Sequence, residues 1–422
     1  MNETSDNRLE RLLDAYASAF QRWLPSPFSI AILLTFLAGT LALRFESPQG
    51  VLDAWTTGLW NPGLLRFGFQ AMFMLVLGHM LALAPPVLAM LRRAVDWVIL
   101  HPVSAPAKVA ALSMALGWLN WGLGLIGGAI LVRGVLDRAK DRVHVGLLGA
   151  AGYTGLLVWH GGLSGSAPLK VAESGHLASL VPEAPWVETL PMAITLRETA
   201  LSPWSLAVTG TVMVAVTLLV LVLGRRLGKS SGWVAASTMA PPNSEPTSAN
   251  VGWADRLDER PWLPWALGLS ALAGTVAWVV GSGPLTDLAF VTPDWINMIL
   301  LGLALLAHGQ VKGFLGALDE AIAGASGILI QFPLYFGIMG VVTGTGLGAW
   351  IAEGVVATAS DTLLPLALFV SSGILNVFVP SGGGQWAVQG PLVLEACHAL
   401  GVPLERGIMA MAFGDELTNM LQ

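Results

Sequence analysis

Long apolar stretches alternate with short polar ones along this chain of 422 residues. A helix needs about 20 apolar residues to cross the hydrocarbon core of a bilayer, so stretches near that length are candidate transmembrane helices. The pattern predicts an all-α polytopic membrane protein. Six stretches are clear candidates: Phe28–Leu43, Leu64–Leu83, Pro203–Leu223, Pro261–Val280, Ile296–Ala307 and Ala325–Val342.

Other apolar stretches are less regular. Gly, Pro, Ser and Asn interrupt residues 108–132, 145–172, 361–396 and 407–422. In residues 9–23, by contrast, the apolar side chains share one helical face, which predicts an amphipathic helix on the membrane surface.

Composition narrows the class further. Only 11% of the residues are charged and 54% are hydrophobic, which excludes a soluble globule of this size. A net charge of −6 without a basic stripe excludes nucleic-acid binding, and a single cysteine, Cys397, excludes a disulfide framework. The acidic N-terminus does not resemble a cleavable signal peptide.

Basic residues give the orientation, because Lys and Arg favour the cytoplasmic side. Sixteen of the 21 lie in five segments, which we expect to be cytoplasmic together with the N-terminus: 1–26, 85–108, 133–144, 224–260 and 309–320. Residues 108–132 have basic flanks on both sides, so we expect a re-entrant hairpin that turns near Asn120–Gly128. The alternative, one long crossing helix, would leave four basic residues outside.

The two halves of the chain resemble each other. Gly117-Trp-Leu-Asn120 is followed by Gly127-Gly128, and Gly373-Ile-Leu-Asn376 is followed by Gly383-Gly384 at the same spacing. Gln70 likewise matches Gln331, and the interrupted stretch 159–166 matches 413–419. The stretch with Asn376 and Gly383-Gly384 would then form a second hairpin. Its flanks carry no Lys or Arg, so we expect this hairpin to open to the outside.

These features predict two inverted-topology repeats, each with a re-entrant hairpin and a broken transmembrane helix, as in secondary transporters. The chain would then divide into a cytoplasmic segment (1–26), a first repeat (27–228), a cytoplasmic linker (229–260), a connecting helix (261–281) and a second repeat (282–422). The comparison of repeats predicts one more helix after Gln422. Its absence indicates either an incomplete sequence or an unusual natural end.

The second hairpin is a candidate anion site. Ser381 precedes Gly382, Gly383 and Gly384, which we expect to be uncoiled, and a helix that restarts near Gln385 would present its positive end to a small carboxylate. Ser381, Gln385 and Gln389 add neutral donors for the same carboxylate. A tight packing turn is the alternative. In the first hairpin Asn120, Gly127 and Gly128 should face the same centre; Asn120 and Asn376 are equally suited to binding ligand and to capping helices.

The interrupted helices carry the other candidates. Asp415 and Glu416 lie in an apolar run, where charges are functional by default, and Thr418 and Asn419 could complete an oxygen site for a cation. A helix end in the headgroup region is the alternative. In the matching stretch, Ser164 and Ser166 are possible ligands.

The first interrupted helix and its neighbours also contain other polar side chains. His160 could relay protons, although a packing role is commoner. Lys170 could meet a substrate carboxylate, but we expect it to snorkel outward. Buried glutamines such as Gln70 and Gln331 more often join helices than bind ligands.

Five segments resemble the short-chain fatty acid transporter family, within the ion-transporter superfamily of inverted-repeat carriers. They are RWLPSPFSIAILLT (22–35), GWLNWGLGLIGGA (117–129), HGGLSGSAPLKVAESGH (160–176), VPSGGGQWAVQGP (379–391) and MAFGDELTNMLQ (411–422). The resemblance runs from about residue 8 to the end. It implies a carrier of butyrate-like or acetoacetate-like acids in the bacterial inner membrane.

In that superfamily, hairpin tips and Ser/Asn/Thr motifs hold carboxylate and sodium. The resemblance therefore implies ligand roles for Asn120, Ser164, Asn376, Ser381 and the Thr418–Asn419 pair. The family usually continues with a Pro-Phe-Trp stretch and a final helix, and this sequence does not.

Together these observations predict secondary transport of a short-chain monocarboxylate coupled to H⁺ or Na⁺. A homodimer is possible in this class, and we expect no cofactor and no resident metal beyond Na⁺. A dicarboxylate carrier or an ion antiporter is the nearest alternative, and a channel is a weaker one. An enzyme would need a nucleophile or metal motif that we do not find.

Overall fold

The computed structural model describes residues 22, 25–227, 253–282, 284–358, 360–379 and 381–420. The predicted amphipathic helix at 9–23, apart from residue 22, lies outside the described residues. So do Pro380, Leu421, Gln422 and most of the linker 229–260.

The described part of the chain is α-helical, with short 3-10 turns and no β-strand. The helices of the first half are α1 (Pro27–Ala42), α2 (Pro48–Leu59), α3 (Pro62–Leu83), α4 (Pro85–Ile99), α5 (Ala105–Leu119), α6 (Trp121–Ala139), α7 (Val145–Tyr153), α8 (Ser166–Val171), α9 (His176–Leu180) and α10 (Pro203–Leu227). Those of the second half are α11 (Trp253–Asp258), α12 (Trp262–Gly281), α13 (Pro293–His308), α14 (Val311–Gly344), α15 (Leu347–Thr358), α16 (Leu364–Phe378), α17 (Gly382–Leu400) and α18 (Leu404–Asn419).

Several helices begin at the same local signal. A Ser, Asn or Thr side chain accepts a hydrogen bond from the backbone N–H three residues on, and the next residue is a proline. Proline fits the first helical position because its missing N–H would have no partner there. The four pairs are Ser26–Pro27, Ser47–Pro48, Asn61–Pro62 and Thr292–Pro293.

The all-α polytopic fold is confirmed. Four described helices, α3, α10, α12 and α14, are long and apolar enough to span a membrane. The six predicted spans correspond to α1, α3, α10, α12, α13 and α14, with small differences at their ends. The main difference is α14, which begins at Val311 and also contains the polar segment that precedes the predicted span.

Two packed helices, α5 and α6, occupy the predicted first hairpin, and their re-entry from one side of the membrane stays a prediction. The chain bends by 120° between Pro85–Ile99 and Pro102–Leu119, and α6 then returns along α5 after a break at Asn120. The arms come very close, because a Cβ on Gly124 would collide with the backbone of Gly117. The turn is thus confined to Asn120.

The second half repeats this set of neighbours. In the first half α5 packs against α6 and α7, and α6 packs against α3; in the second, α16 packs against α17 and α18, and α17 against α14. Matched glycines also make matched contacts: a Cβ on Gly117 would meet the carbonyl of Gly155, and one on Gly373 would meet that of Gly414. The opposite membrane orientation of the halves stays a prediction.

Two local expectations are wrong. Gly382–Gly384 form the first turn of α17 and are not uncoiled, because Ser381 caps the helix by accepting a hydrogen bond from the Gly384 N–H. In the second half, α18 is continuous from Leu404 to Asn419, so Asp415 and Glu416 lie on a regular helix. In the first half the helix is interrupted, with irregular chain between the 3-10 turn Thr154–Leu157 and α8.

Candidate functional site

The second hairpin consists of α16 and α17. The tips of the two hairpins, near Trp121 in the first and Gly382 in the second, both contact the irregular segment 158–165. At the first tip, the Trp121 N–H donates to Ser164 Oγ at 2.9 Å, and the Trp121 ring lies 5.7 Å from that of Trp159. At the second tip, a Cβ on Gly382 would lie 2.7 Å from the Trp159 ring. Trp159 therefore touches both tips, and the segment forms the floor of the candidate site.

Asn120 acts as a helix cap. Its Oδ1 accepts from the Leu123 N–H at 2.9 Å, which supplies one of the partners that the first turn of α6 lacks. Its Nδ2 is buried and has no hydrogen-bond partner among the described residues. The cap fixes the oxygen, and the amide nitrogen is the group left for a ligand.

The glycines of the second tip lie against large side chains. A Cβ on Gly383 would lie 3.1 Å from the Phe332 ring, and one on Gly384 would collide with the Tyr335 ring. A Cβ on Gly382 would collide with His160 Nε2 and lie 2.8 Å from Asp415 Oδ2. The absence of side chains thus lets the positive end of α17 approach a buried carboxylate.

His160 and Asp415 form the centre of the site. His160 Nε2 lies 3.0 Å from Asp415 Oδ2, and both side chains are 0% exposed. Glu416 is also buried, and its Oε2 accepts from the backbone N–H groups of His160, at 2.9 Å, and Gly161, at 3.4 Å. The predicted ion-coupling residues His160, Asp415 and Glu416 are therefore brought together.

Asn376 joins α16 to α18. Its Nδ2 donates to the Asp415 backbone carbonyl at 2.6 Å, to Thr418 Oγ1 at 2.9 Å and to Asn419 Oδ1 at 3.2 Å. Thr418 also donates to the Gly373 carbonyl at 2.9 Å. These side chains position the Asp415 turn, so the two matched asparagines do different work: Asn120 caps a helix, and Asn376 links two helices.

The charge balance of the centre is unusual. Two buried carboxyl groups surround His160, Asp415 at its imidazole and Glu416 at its backbone N–H, and no described ion pair brings Lys or Arg to either acid. Buried charges are costly unless they are neutralised, so this arrangement favours a bound proton or cation. The described residues contain no cluster of three or more His, Cys, Asp or Glu side chains that could hold a metal ion.

Some predicted site residues lie apart from this centre. Gly127 and Gly128 are inside α6, where a Cβ on Gly127 would collide with the Leu116 side chain of α5 and one on Gly128 with the Gly152 carbonyl of α7, so they serve close helix packing. Ser166 begins α8 and is half-buried. The Gln385 Nε2 donates to the Ser372 carbonyl at 3.0 Å, so it holds α17 against α16.

Two polar networks were missed by the sequence reasoning. Trp386 Nε1 donates to His176 Nε2 at 2.9 Å, and neither residue carried a motif that predicts the pairing. Lys170 does not snorkel: it is buried, pairs with Glu173 and donates to Gln70 Oε1 at 3.2 Å. Gln70 thus joins helices, as expected, whereas its repeat partner Gln331 is only half-buried.

Residues 8–422 match the family model for the short chain fatty acid transporter. Two curated bacterial proteins, each named “Putative short-chain fatty acid transporter”, align with nearly the whole chain. The Escherichia coli (strain K12) protein is 31% identical over an alignment 432 positions long, covering 98% of this chain and 90% of its own. The Haemophilus influenzae protein is 29% identical, covering 99% and 91%.

One solved structure has a similar fold. The YdaH transporter of Alcanivorax borkumensis, described as having an unusual topology, superimposes with a TM-score of 0.55 at 15% identity. The match covers 93% of this chain and 87% of that one. At this identity the likeness concerns the fold alone.

Proposed function

Because this chain belongs to the short-chain fatty acid transporter family, we propose that it is a secondary carrier of a short-chain monocarboxylate such as butyrate or acetoacetate. Transport would be coupled to H⁺ or Na⁺. The carrier would lie in the bacterial inner membrane with its N-terminus in the cytoplasm, a placement supported by the distribution of Lys and Arg.

The observation that carries the coupling is the buried centre. Asp415 and Glu416 place two carboxyl groups inside the protein, and among the described residues His160 is the only basic side chain that pairs with either. A carrier that alternates between two sides needs a site of this kind, where a proton or cation is taken up on one side and released on the other.

The geometry favours a proton over sodium. The neighbour of Asp415 Oδ2 is an imidazole nitrogen at 3.0 Å, and an imidazole can both accept and donate a proton. A sodium ion would need a shell of oxygen ligands in that place, and hard cations select oxygen. Thr418 and Asn419 are already engaged with Asn376.

Competition between the Asp415 carboxylate and the substrate carboxylate for the N-terminus of α17 would couple movement of the proton to movement of the substrate. Asp415 Oδ2 lies beside Gly382, where the helix dipole favours a negative charge. When a proton neutralises Asp415, this end of the helix becomes available to the substrate carboxylate. Release of the proton restores the Asp415 charge and displaces the substrate, so proton and acid travel together.

The test is uptake of radiolabelled butyrate by the full-length protein in proteoliposomes. An inward proton gradient should drive accumulation above equilibrium, and a sodium gradient at equal pH should not. Asp415→Asn should abolish gradient-driven accumulation, because an amide neither binds nor releases a proton. Glu405→Gln, on the same helix but partly exposed, is the matched control and should keep wild-type uptake.

Several outcomes would contradict the proposal. Wild-type protein that never accumulates butyrate under any gradient would remove the assigned function. Uptake that follows only the sodium gradient would show that sodium, and not a proton, is the coupling ion. Non-saturable flux that never exceeds electrochemical equilibrium would indicate a channel, and preference for succinate would indicate a dicarboxylate carrier.

A further inference from the structure

Lys170 is a buried cation that the centre around Asp415 does not use. We propose that Lys170 is a binding point for the substrate carboxylate on its way to the second hairpin tip. At Lys170 the substrate carboxylate takes the place of the Glu173 carboxylate. This inference rests on the proposed function, since it names a site on the path of the same substrate.

A hydrogen-bonded network leads from the surface to Lys170. Arg66 pairs with Asp294; the Gln70 Nε2 donates to Asp294 Oδ1 at 2.7 Å and to Glu173 Oε1 at 2.7 Å; and Glu173 pairs with Lys170. The exposed fraction of the side chains falls along this order of charged groups, from 63% to 34%, 17% and 4%. The network therefore describes a polar route that ends in a buried positive charge.

A single aromatic ring joins Lys170 to the second tip. The Lys170 Nζ lies 5.2 Å from the centre of the Phe67 ring, and Phe67 Cζ lies 3.2 Å from the position of a Cβ on Gly383. Phe67 is itself buried. Phe67 therefore lies between the lysine and the tip, where its ring has the position of a gate.

The partner of Lys170 is suited to replacement. Glu173 is three residues away on a partly exposed turn that ends at Gly175 (φ +78°), and it keeps a second hydrogen bond from Gln70 when it leaves the lysine. A monocarboxylate has the same charge and the same acceptor atoms as the Glu173 side chain. The exchange therefore keeps Lys170 neutralised, which a buried ammonium requires.

The test separates substrate binding from structural pairing. The double variant Lys170→Gln, Glu173→Gln removes both charges together, so no unpaired buried charge remains. If Lys170 binds the substrate, the KM for butyrate uptake should rise by about tenfold while kcat changes by less than about threefold. Lys170→Arg retains a cation and should keep KM within about threefold.

A matched control is the exposed pair Arg197–Asp287, at 3.6 Å. Arg197→Gln with Asp287→Asn should leave KM unchanged. A KM of the Lys170/Glu173 double variant equal to that of wild type would overturn the proposal and leave the proposed function intact.

A measurement on the wild-type protein needs neither transport nor a folded variant. Butyrate should slow modification of Lys170 by an amine-reactive reagent, followed by mass spectrometry, while exposed Lys312 reacts at an unchanged rate. Equal rates at Lys170 with and without butyrate would overturn the inference. If butyrate protects Lys170 but wild-type protein shows no uptake, the proposed function fails and the binding point stands.

Discussion

His160 Nε2 lies 3.0 Å from Asp415 Oδ2, and neither side chain is exposed. One residue comes from the irregular segment of the first half, and the other comes from the continuous helix α18 of the second half. The pair therefore joins the two halves of the chain at the point where both hairpin tips converge.

Replacing His160 tests whether this pair handles the coupling ion. His160→Gln keeps a polar side chain of similar length but cannot carry a proton on its own. Gradient-driven accumulation of butyrate should fall by about tenfold or more, because glutamine cannot relay the coupling proton. Exchange of internal for external butyrate should persist, because it needs no net proton movement. Wild-type gradient-driven accumulation in the variant would remove His160 from the mechanism.

The second tip should tolerate no side chain at its first glycine. In Gly382→Ala the new methyl group would collide with His160 Nε2 and crowd Asp415 Oδ2, so we expect a loss of about 1–3 kcal/mol in stability together with loss of uptake. Thermal unfolding in detergent measures the first and proteoliposome uptake the second. Gly210→Ala, in α10 with open space around it, is the control and should be neutral or mildly stabilising.

One substitution at the two matched asparagines should have two different effects. Asn120→Ser keeps an oxygen that can cap α6 and should cost less than about 1 kcal/mol. Asn376→Ser loses the amide that donates to three acceptors on α18 and should cost about 1–3 kcal/mol. Equal melting temperatures for the two variants would contradict the roles assigned here.

The bond between Trp386 and His176 should stabilise the second tip. Trp386→Phe keeps an aromatic ring but removes the indole N–H, leaving the buried His176 Nε2 without its 2.9 Å donor. We expect a loss of about 1–2 kcal/mol in stability with a smaller effect on KM for butyrate. A variant as stable as wild type would show that water or another group replaces the donor.

The sequence identifies features that depend on neighbouring residues. The length of the apolar stretches predicted the membrane spans. Asn120 marked the first hairpin turn, because a polar residue within an apolar stretch indicates an interruption of the helix. Two carboxylates in an apolar stretch, Asp415 and Glu416, indicated a charged centre, and the structure brings them to His160. Each of these inferences uses only local spacing or polarity.

Features that depend on distant residues could not be predicted in this way. The three glycines at 382–384 predicted a helix break, yet Ser381 caps a helix that begins there. Glycine is needed in this helix for another reason: Phe332 and Tyr335 pack where the side chains would be. Lys170 read as a snorkelling residue although Glu173 lies only three residues away, because Gln70, 100 residues distant on α3, reaches the lysine only in the folded chain. Local propensity gives no information about such tertiary contacts.

The glycine contacts described in the fold bear on how a carrier of this architecture changes shape. At Gly117 on Gly155, and again at Gly373 on Gly414, main chain rests almost directly on main chain. Without long side chains to act as a flexible layer, neither hairpin can slide along its adjoining helix unless that seam separates. Any rocking that exposes the centre to one side must therefore carry hairpin and helix as one body, and the hinges must lie outside these pairs.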